Sequence, residues 1–257
     1  MGSADGSSPQ GILDRALGVL GCFTEDEPAL TAAELSERTG LPASTMHRLI
    51  GALLRHGLMV RVPDHRYAVG PRLWELGELS PMSLRLRERA IPHLVRLYEA
   101  TGENVHLAVL DGAEPERATV LYVGRITGRL SIPTISRAGG RGPLHATGVG
   151  RALLATRDEI WLERYLRVPR ERETAHTITG EAELRAELER TRARGYASTR
   201  EEMTLGNVSV AVALPQVDGL PPAAIGLVVH LNRADERRLS ALVVQSAREI
   251  HAAIRQA

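Results

Sequence analysis

Residues 30–69, LTAAELSERTGLPASTMHRLIGALLRHGLMVRVPDHRYAV, read in order as a helix, a tight turn, a second helix and a short hairpin. Thr31 and Glu34 fit a capping box, in which hydroxyl and carboxylate satisfy each other's backbone amides, and Leu30 and Leu35 occupy the two positions of a hydrophobic staple. Gly40 suits the left-handed residue that closes a helix, and Pro42 the first turn of the next. Met46, Leu49, Ile50 and Leu53 recur at i, i+3, i+4 and i+7, which predicts a buried stripe along the second helix. That layout is a winged helix-turn-helix. Its opposite face carries Ser44, Arg48 and Arg55, flanked by Thr45 and His47. In this motif such short donors and long cations near the helix N-terminus enter a major groove.

Local charge separates this reading from an ordinary helical hairpin with solvated faces. From Arg38 to Arg72 six arginines stand against the single acid Asp64, a local charge of +5, whereas the whole chain carries only +1. Acids flank the stretch on both sides: Glu25, Asp26 and Glu27 before it, Glu75 and Glu78 after it. A focused basic patch attracts phosphate even when net charge is near zero. The hairpin over 58–69 turns at Pro63-Asp64-His65-Arg66, a turn-prone run. Its tip would bring Arg61, His65, Arg66 and Tyr67 to the DNA backbone or an adjacent minor groove, although a solvated loop has the same composition.

At 257 residues the chain accommodates one small and one medium domain. An apolar fraction of 43% with 25% charged residues marks a globular protein, and 3% aromatics argues against a stacking platform for single strands. The single cysteine, Cys22, excludes a disulfide framework and a cysteine zinc site, and reads as a small core residue. All 32 basic residues are arginine, an excess that runs through every segment and therefore reads as coding bias. No apolar run is long enough to span a bilayer, and the start MGSADGSSPQ lacks the features of a signal peptide, so a cytoplasmic location is expected.

Along the chain, residues 1–10 read as a disordered tail and 11–70 as the DNA-binding domain. Its first helix, over 11–23, places Ile12, Leu13, Ala16, Leu17, Leu20 and Phe23 on one side to close the core. A linker helix over 71–80 precedes an effector-binding and oligomerisation domain over 81–257. There the pattern predicts a helix over about 82–100 stopped by Gly102, then strands in NVHLAVLDG, ATVLYVGRI and RLSIPTIS. Helices follow over 146–155, 158–166 and 181–194, then strands over 195–199, 207–215 and 223–231 and a closing helix over 234–255. Strands clustered between helices without βαβ alternation indicate an α+β domain with an antiparallel sheet.

No phosphate loop, dinucleotide fingerprint, HExxH or nucleophile elbow occurs in a fitting context, so neither a cofactor nor a metal is expected. An enzyme recruited to DNA would need a nucleophile or metal constellation that is not evident. The glycine-rich stretch 138–150 precedes a helix, whose amides could hold an anion, although most such loops are plain turns. His106, His145 and His176 are too scattered to imply a metal site. Glu201-Glu202 could do acid–base work, but capping or solvation is the commoner role.

Three segments resemble the signature stretches of isocitrate-lyase-regulator (IclR) type transcriptional regulators: GLPASTMHRLIGALLRHG, PLHATGVGRALLA (143–155) and RGYASTREEMTLGNVSVAVALP (194–215). The match runs in order from about residue 11. The resemblance implies a winged helix-turn-helix joined by a linker helix to a GAF-like α/β effector-binding domain, α+β overall. It implies homodimers or dimers of dimers that bind a double-stranded DNA operator and respond to a small-molecule effector, commonly an organic or aromatic acid. By position it carries ligand-facing amides to Gly148 and Val149. Thr199 stands where some relatives hold an acid, Ser209 where some hold a cysteine, and Gly226 and Val228 where binders of small keto acids hold hydroxyls. Losing those two donors points to a larger or less polar effector. The alternative is a DNA-binding protein whose large domain is blind to ligand and only oligomerises.

Overall fold

The computed structural model describes residues 11–128 and 136–256. The chain divides between Ser80 and Pro81 into two compact units. The proposed tail 1–10, and the predicted strand RLSIPTIS except its last residue, lie outside the described residues.

In the first unit α1 spans Ile12–Leu20, β1 Ala29–Thr31, α2 Ala32–Thr39, α3 Ala43–Arg55, β2 Met59–Val62, β3 Arg66–Val69 and α4 Pro71–Glu78. The capping box at Thr31 and Glu34 is formed, and Gly40 ends α2 with φ of 69°. Leu30, Leu35, Met46, Leu49, Ile50, Leu53 and Met59 form the core with Val19. The three strands pair antiparallel in the order β1-β3-β2. The wing turn, residues 63–65 between the paired Val62 and Arg66, sets Asp64 and His65 at φ of 60° and 55°, a left-handed conformation that Asp and His adopt more readily than most side chains.

One expectation fails here. Ile12, Leu13 and Leu17 do not close the core but are 73%, 67% and 57% exposed, and α1 buries Val19, with Ala16, Leu20 and Phe23 packed partly behind it. A nine-residue helix buries only the stripe facing its neighbour α2, and its remaining apolar residues stay outside.

The second unit begins with a π-helical turn, Met82–Arg87, that runs into α5, Glu88–Thr101, stopped by Gly102 at φ of 71°. Then come β4 Asn104–Asp111, β5 Thr119–Ile126, β6 Arg141–Gly142, α6 Gly148–Ala155, α7 Glu159–Leu166, α8 Glu181–Arg194, β7 Ala197–Arg200, β8 Asn207–Ala213, β9 Ala223–His230 and α9 Glu236–Arg255. The sheet is antiparallel throughout, in the order β6-β5-β4-β9-β8-β7. Strand alternation gives its two faces different volumes. Val105, Leu107, Val208, Val210, Ile225, Leu227 and Val229 pack against α5 and α9. The other face offers Ala108, Ala197, Ala211 and Ala224 to α6, α7 and α8. One side is thus filled by large residues, while the other sets alanines of β4, β7, β8 and β9 under the helices. None of the described helices is long and apolar enough to cross a membrane.

Candidate DNA interface and effector cleft

Met46, Leu49, Ile50 and Leu53 face inward on α3 and turn the other side of the helix to solvent. Ser44, His47, Arg48 and Arg55 are exposed there, with Thr45 half-buried beside Met46. On the wing, Arg61 and His65 are exposed. Arg61 lies directly across from Tyr67, its guanidinium 5.9 Å from the ring centre, and Tyr67 packs partly into the core. Arg66 points elsewhere: its Nη1 donates to the Ala29 carbonyl at 2.7 Å and its Nη2 to Glu34 Oε1 at 3.3 Å.

In the second unit a cleft opens where α6 crosses the alanine-bearing face of the sheet, enclosing about 610 Å³ with its open mouth included. Thr147 caps α6, its Oγ1 accepting from the Gly150 amide at 3.2 Å and donating to the Pro143 carbonyl at 2.7 Å. The amides of Gly148 and Val149 then remain at the cleft wall. Only glycine permits this approach. A Cβ at Gly148 would lie 2.3 Å from Ser209 Oγ, and one at Gly226 would lie 2.9 Å from Ala211 Cβ and 3.1 Å from Val149 Cγ1.

Five of the six positions carried over by resemblance meet here: Gly148, Val149, Thr199, Ser209 and Val228 line the cleft. Gly226 does not. It lies beneath Val149, so the volume freed by its missing side chain is filled by protein. The lining also includes residues that the sequence did not assign to the effector, among them His106, Tyr122, Ser136, Glu202 and Asn207. His106 had a signal in retrospect, since alternation on β4 sets it on the same face as Ala108.

The polar groups of the cleft are held in their neutral or compensated forms. Burial pushes the His106 imidazole down to about 3, assisted by the charge of Arg125, so it is neutral, and its Nε2 lies 2.9 Å from Ser136 Oγ. Burial pushes the Tyr122 phenol up to about 12 against an opposing hydrogen bond with Thr147, and its ring meets His106 edge-on at 5.5 Å. Glu202 is buried and joined by both oxygens to the guanidinium of Arg151, itself 1% exposed. Arg151 also donates through Nε to the His145 carbonyl at 2.9 Å, and the Ile178 amide donates to Glu202 at 3.3 Å. This buried pair ties α6 to the turn after β7. Glu201, by contrast, serves as a cap, accepting from the Gly206 amide at 2.8 Å. The sequence pair Glu201-Glu202 therefore splits between two structural roles.

The family model of the bacterial transcriptional regulator IclR C-terminal domain matches residues 80–254, and that of the IclR helix-turn-helix domain matches residues 12–63. The chain belongs to the IclR family. Among IclR relatives it is 35% identical over 243 residues to the HTH-type transcriptional regulator BhcR of Paracoccus denitrificans, covering 93% of this chain and 85% of that protein. It is 33% identical over 230 residues to the HTH-type transcriptional regulator XynR of Escherichia coli, covering 89% of each. An IclR homolog from Microbacterium hydrocarbonoxydans, crystallised with 4-hydroxybenzoate, superposes with a TM-score of 0.89 at 30% identity, covering 96% of this chain and 100% of that one. This IclR-family protein is a DNA-binding transcriptional regulator.

Proposed function

We propose that this regulator answers a small organic effector held in the α6 cleft, and that it reads a double-stranded operator with α3 as a homodimer or dimer of dimers. The observation that carries the effector reading is the cleft itself. Gly148 and Val149 at the start of α6 line it, with the neutral His106 and Tyr122 and the apolar Val228. A helix N-terminus favours negative charge through its free amides and its dipole. An acid or carbonyl group of the effector accordingly points to Gly148 and Val149 and its apolar body to the two valines, while Thr199 and Ser209 offer hydroxyls. The 4-hydroxybenzoate complex of the structural neighbour supports an aromatic acid as the first class to try. On the DNA side, Arg48 reads a base edge from the middle of the exposed face of α3, with Ser44, Thr45, His47 and Arg55 around it. Arg61 and His65 then meet the backbone from the wing, above Tyr67.

A thermal-shift screen of aromatic and aliphatic carboxylic acids tests the effector reading. A compound that binds only the folded state raises the melting point, with a stabilisation of about 2.7 kcal/mol at a hundred times its Kd. Val228→Phe, which narrows the cleft, should abolish that shift while leaving DNA binding intact. A shift that survives in the variant would move the site elsewhere, and a panel with no shift at all would favour a large domain that only oligomerises.

A further inference from the structure

Glu34 uses its two oxygens for two different purposes. Oε2 accepts from the Thr31 amide at 2.7 Å and from Thr31 Oγ1 at 3.0 Å, closing the cap of α2. Oε1 takes Arg66 Nη2 at 3.3 Å, while Arg66 Nη1 reaches the Ala29 carbonyl at 2.7 Å. Arg66 sits on β3, the middle strand, opposite Thr31 of β1. One guanidinium thereby fastens the wing to β1 and to the first turn of α2. We propose that Arg66 and Glu34 form a strut that sets the position of the wing against the helix-turn-helix, and that Arg66 acts on DNA through that position and not by touching phosphate. The cation that meets the backbone is Arg61, which is exposed and sits over the ring of Tyr67.

Glu34→Gln separates the two roles. A capping box accepts glutamine as readily as glutamate. The amide, however, has only one oxygen and cannot serve Thr31 and Arg66 together. Removing a negative charge from a DNA-binding module strengthens attraction to phosphate on electrostatic grounds alone, and it would also release Arg66 if that residue were a phosphate contact. Loss of a strut has the opposite sign.

The experiment measures binding of the full chain to a random-sequence duplex, across a series of salt concentrations, for wild type, Glu34→Gln, Arg66→Ala, Arg61→Ala and Glu34→Gln/Arg61→Ala. The strut predicts that Glu34→Gln weakens binding about two- to fivefold, the scale of a half-exposed ion pair. It also predicts that Arg61→Ala costs less in the Glu34→Gln background than in wild type, a coupling that a general loss of stability would not produce. Arg66→Ala should then change the salt slope no more than Glu34→Gln does. Binding by Glu34→Gln as tight as wild type or tighter overturns the proposal. So does a slope reduced by about 0.9, one phosphate contact, in Arg66→Ala alone. If Arg66→Ala does not fold, the sign of the Glu34→Gln effect and its coupling to Arg61 still decide.

Discussion

His106 illustrates how a histidine too isolated in sequence to imply a metal site can still be consequential in the fold. It lies on β4 at 2% exposure, and its imidazole is displaced from 6.5 to about 3, chiefly by burial. Between those values the unfolded chain holds a proton that the folded chain refuses. Stability is therefore complete above about pH 6.5 and falls as pH drops through that window. His106→Gln should remove about 1 kcal/mol of the acid sensitivity between about pH 7.5 and 5.5. The quantity to compare is the change in urea-unfolding free energy between the two pH values in each protein, so any constant cost of the substitution cancels. His145, also lowered chiefly by burial, acts in the same direction and should leave a residual slope. Identical slopes in variant and wild type would mean that His106 takes up its proton inside the fold. Gly226 teaches the converse. From sequence a missing side chain reads as open space, but here Val149 of α6 fills it, and only the packing of a helix on the strand reveals that.

Periodicity placed the elements well because both periods are local properties of the chain. Helices α2, α3 and α8, and strands β4, β5, β8 and β9, appear within a few residues of where the apolar spacing puts them. The π-helical turn at Met82–Arg87 and the two-residue strand β6 did not, since neither is long enough to express a period. Helix α6 depends on a partner far away in sequence. Arg151 and Glu202 are fifty-one positions apart, and the pair is buried. Arg151→Met should destabilise the second unit by roughly 3–5 kcal/mol, because it strands a buried carboxylate. Arg151→Met/Glu202→Leu should recover a substantial part of that loss, since an apolar pair replaces the orphaned charge. Chemical denaturation of the three proteins measures both effects. A double variant no more stable than the single one would show that the bonds to His145 and Ile178, and not the ion pair, carry the clamp.

At the scale of the whole molecule, the first unit leaves apolar surface uncovered. Ile12, Leu13 and Leu17 of α1 are joined in exposure by Trp74 and Leu79, which flank or lie on α4, at 70% and 69%. In the proposed homodimer, a second copy of this chain covers these exposed apolar residues. Sedimentation at micromolar concentration should show a dimer, and Leu17→Glu with Trp74→Glu should shift it toward monomer. The same variant should lose affinity for a duplex with two half-sites about 34 Å apart, or a multiple of that, far more than for one half-site. A wild-type monomer that still binds the two-site duplex tightly would refute the dimer.

Residues 30–69 determined the winged helix-turn-helix by themselves, because caps, turn residues and a 3.6-residue stripe are interactions between near neighbours. The basic charge of that stretch and the exposed face of α3 follow from the same local rules. Tertiary structure alone decided which of those cations are free: Arg66 is bound to Ala29 and Glu34, partners more than thirty positions away. It alone assembled the cleft, whose lining comes from β4, β5, β6, α6, β7, β8, β9 and the loops between them. The physical reason is common to both. Hydrogen-bond partners and packing volume are set by distances in space, and when two groups lie far apart in sequence, nothing in their local patterns records that they meet.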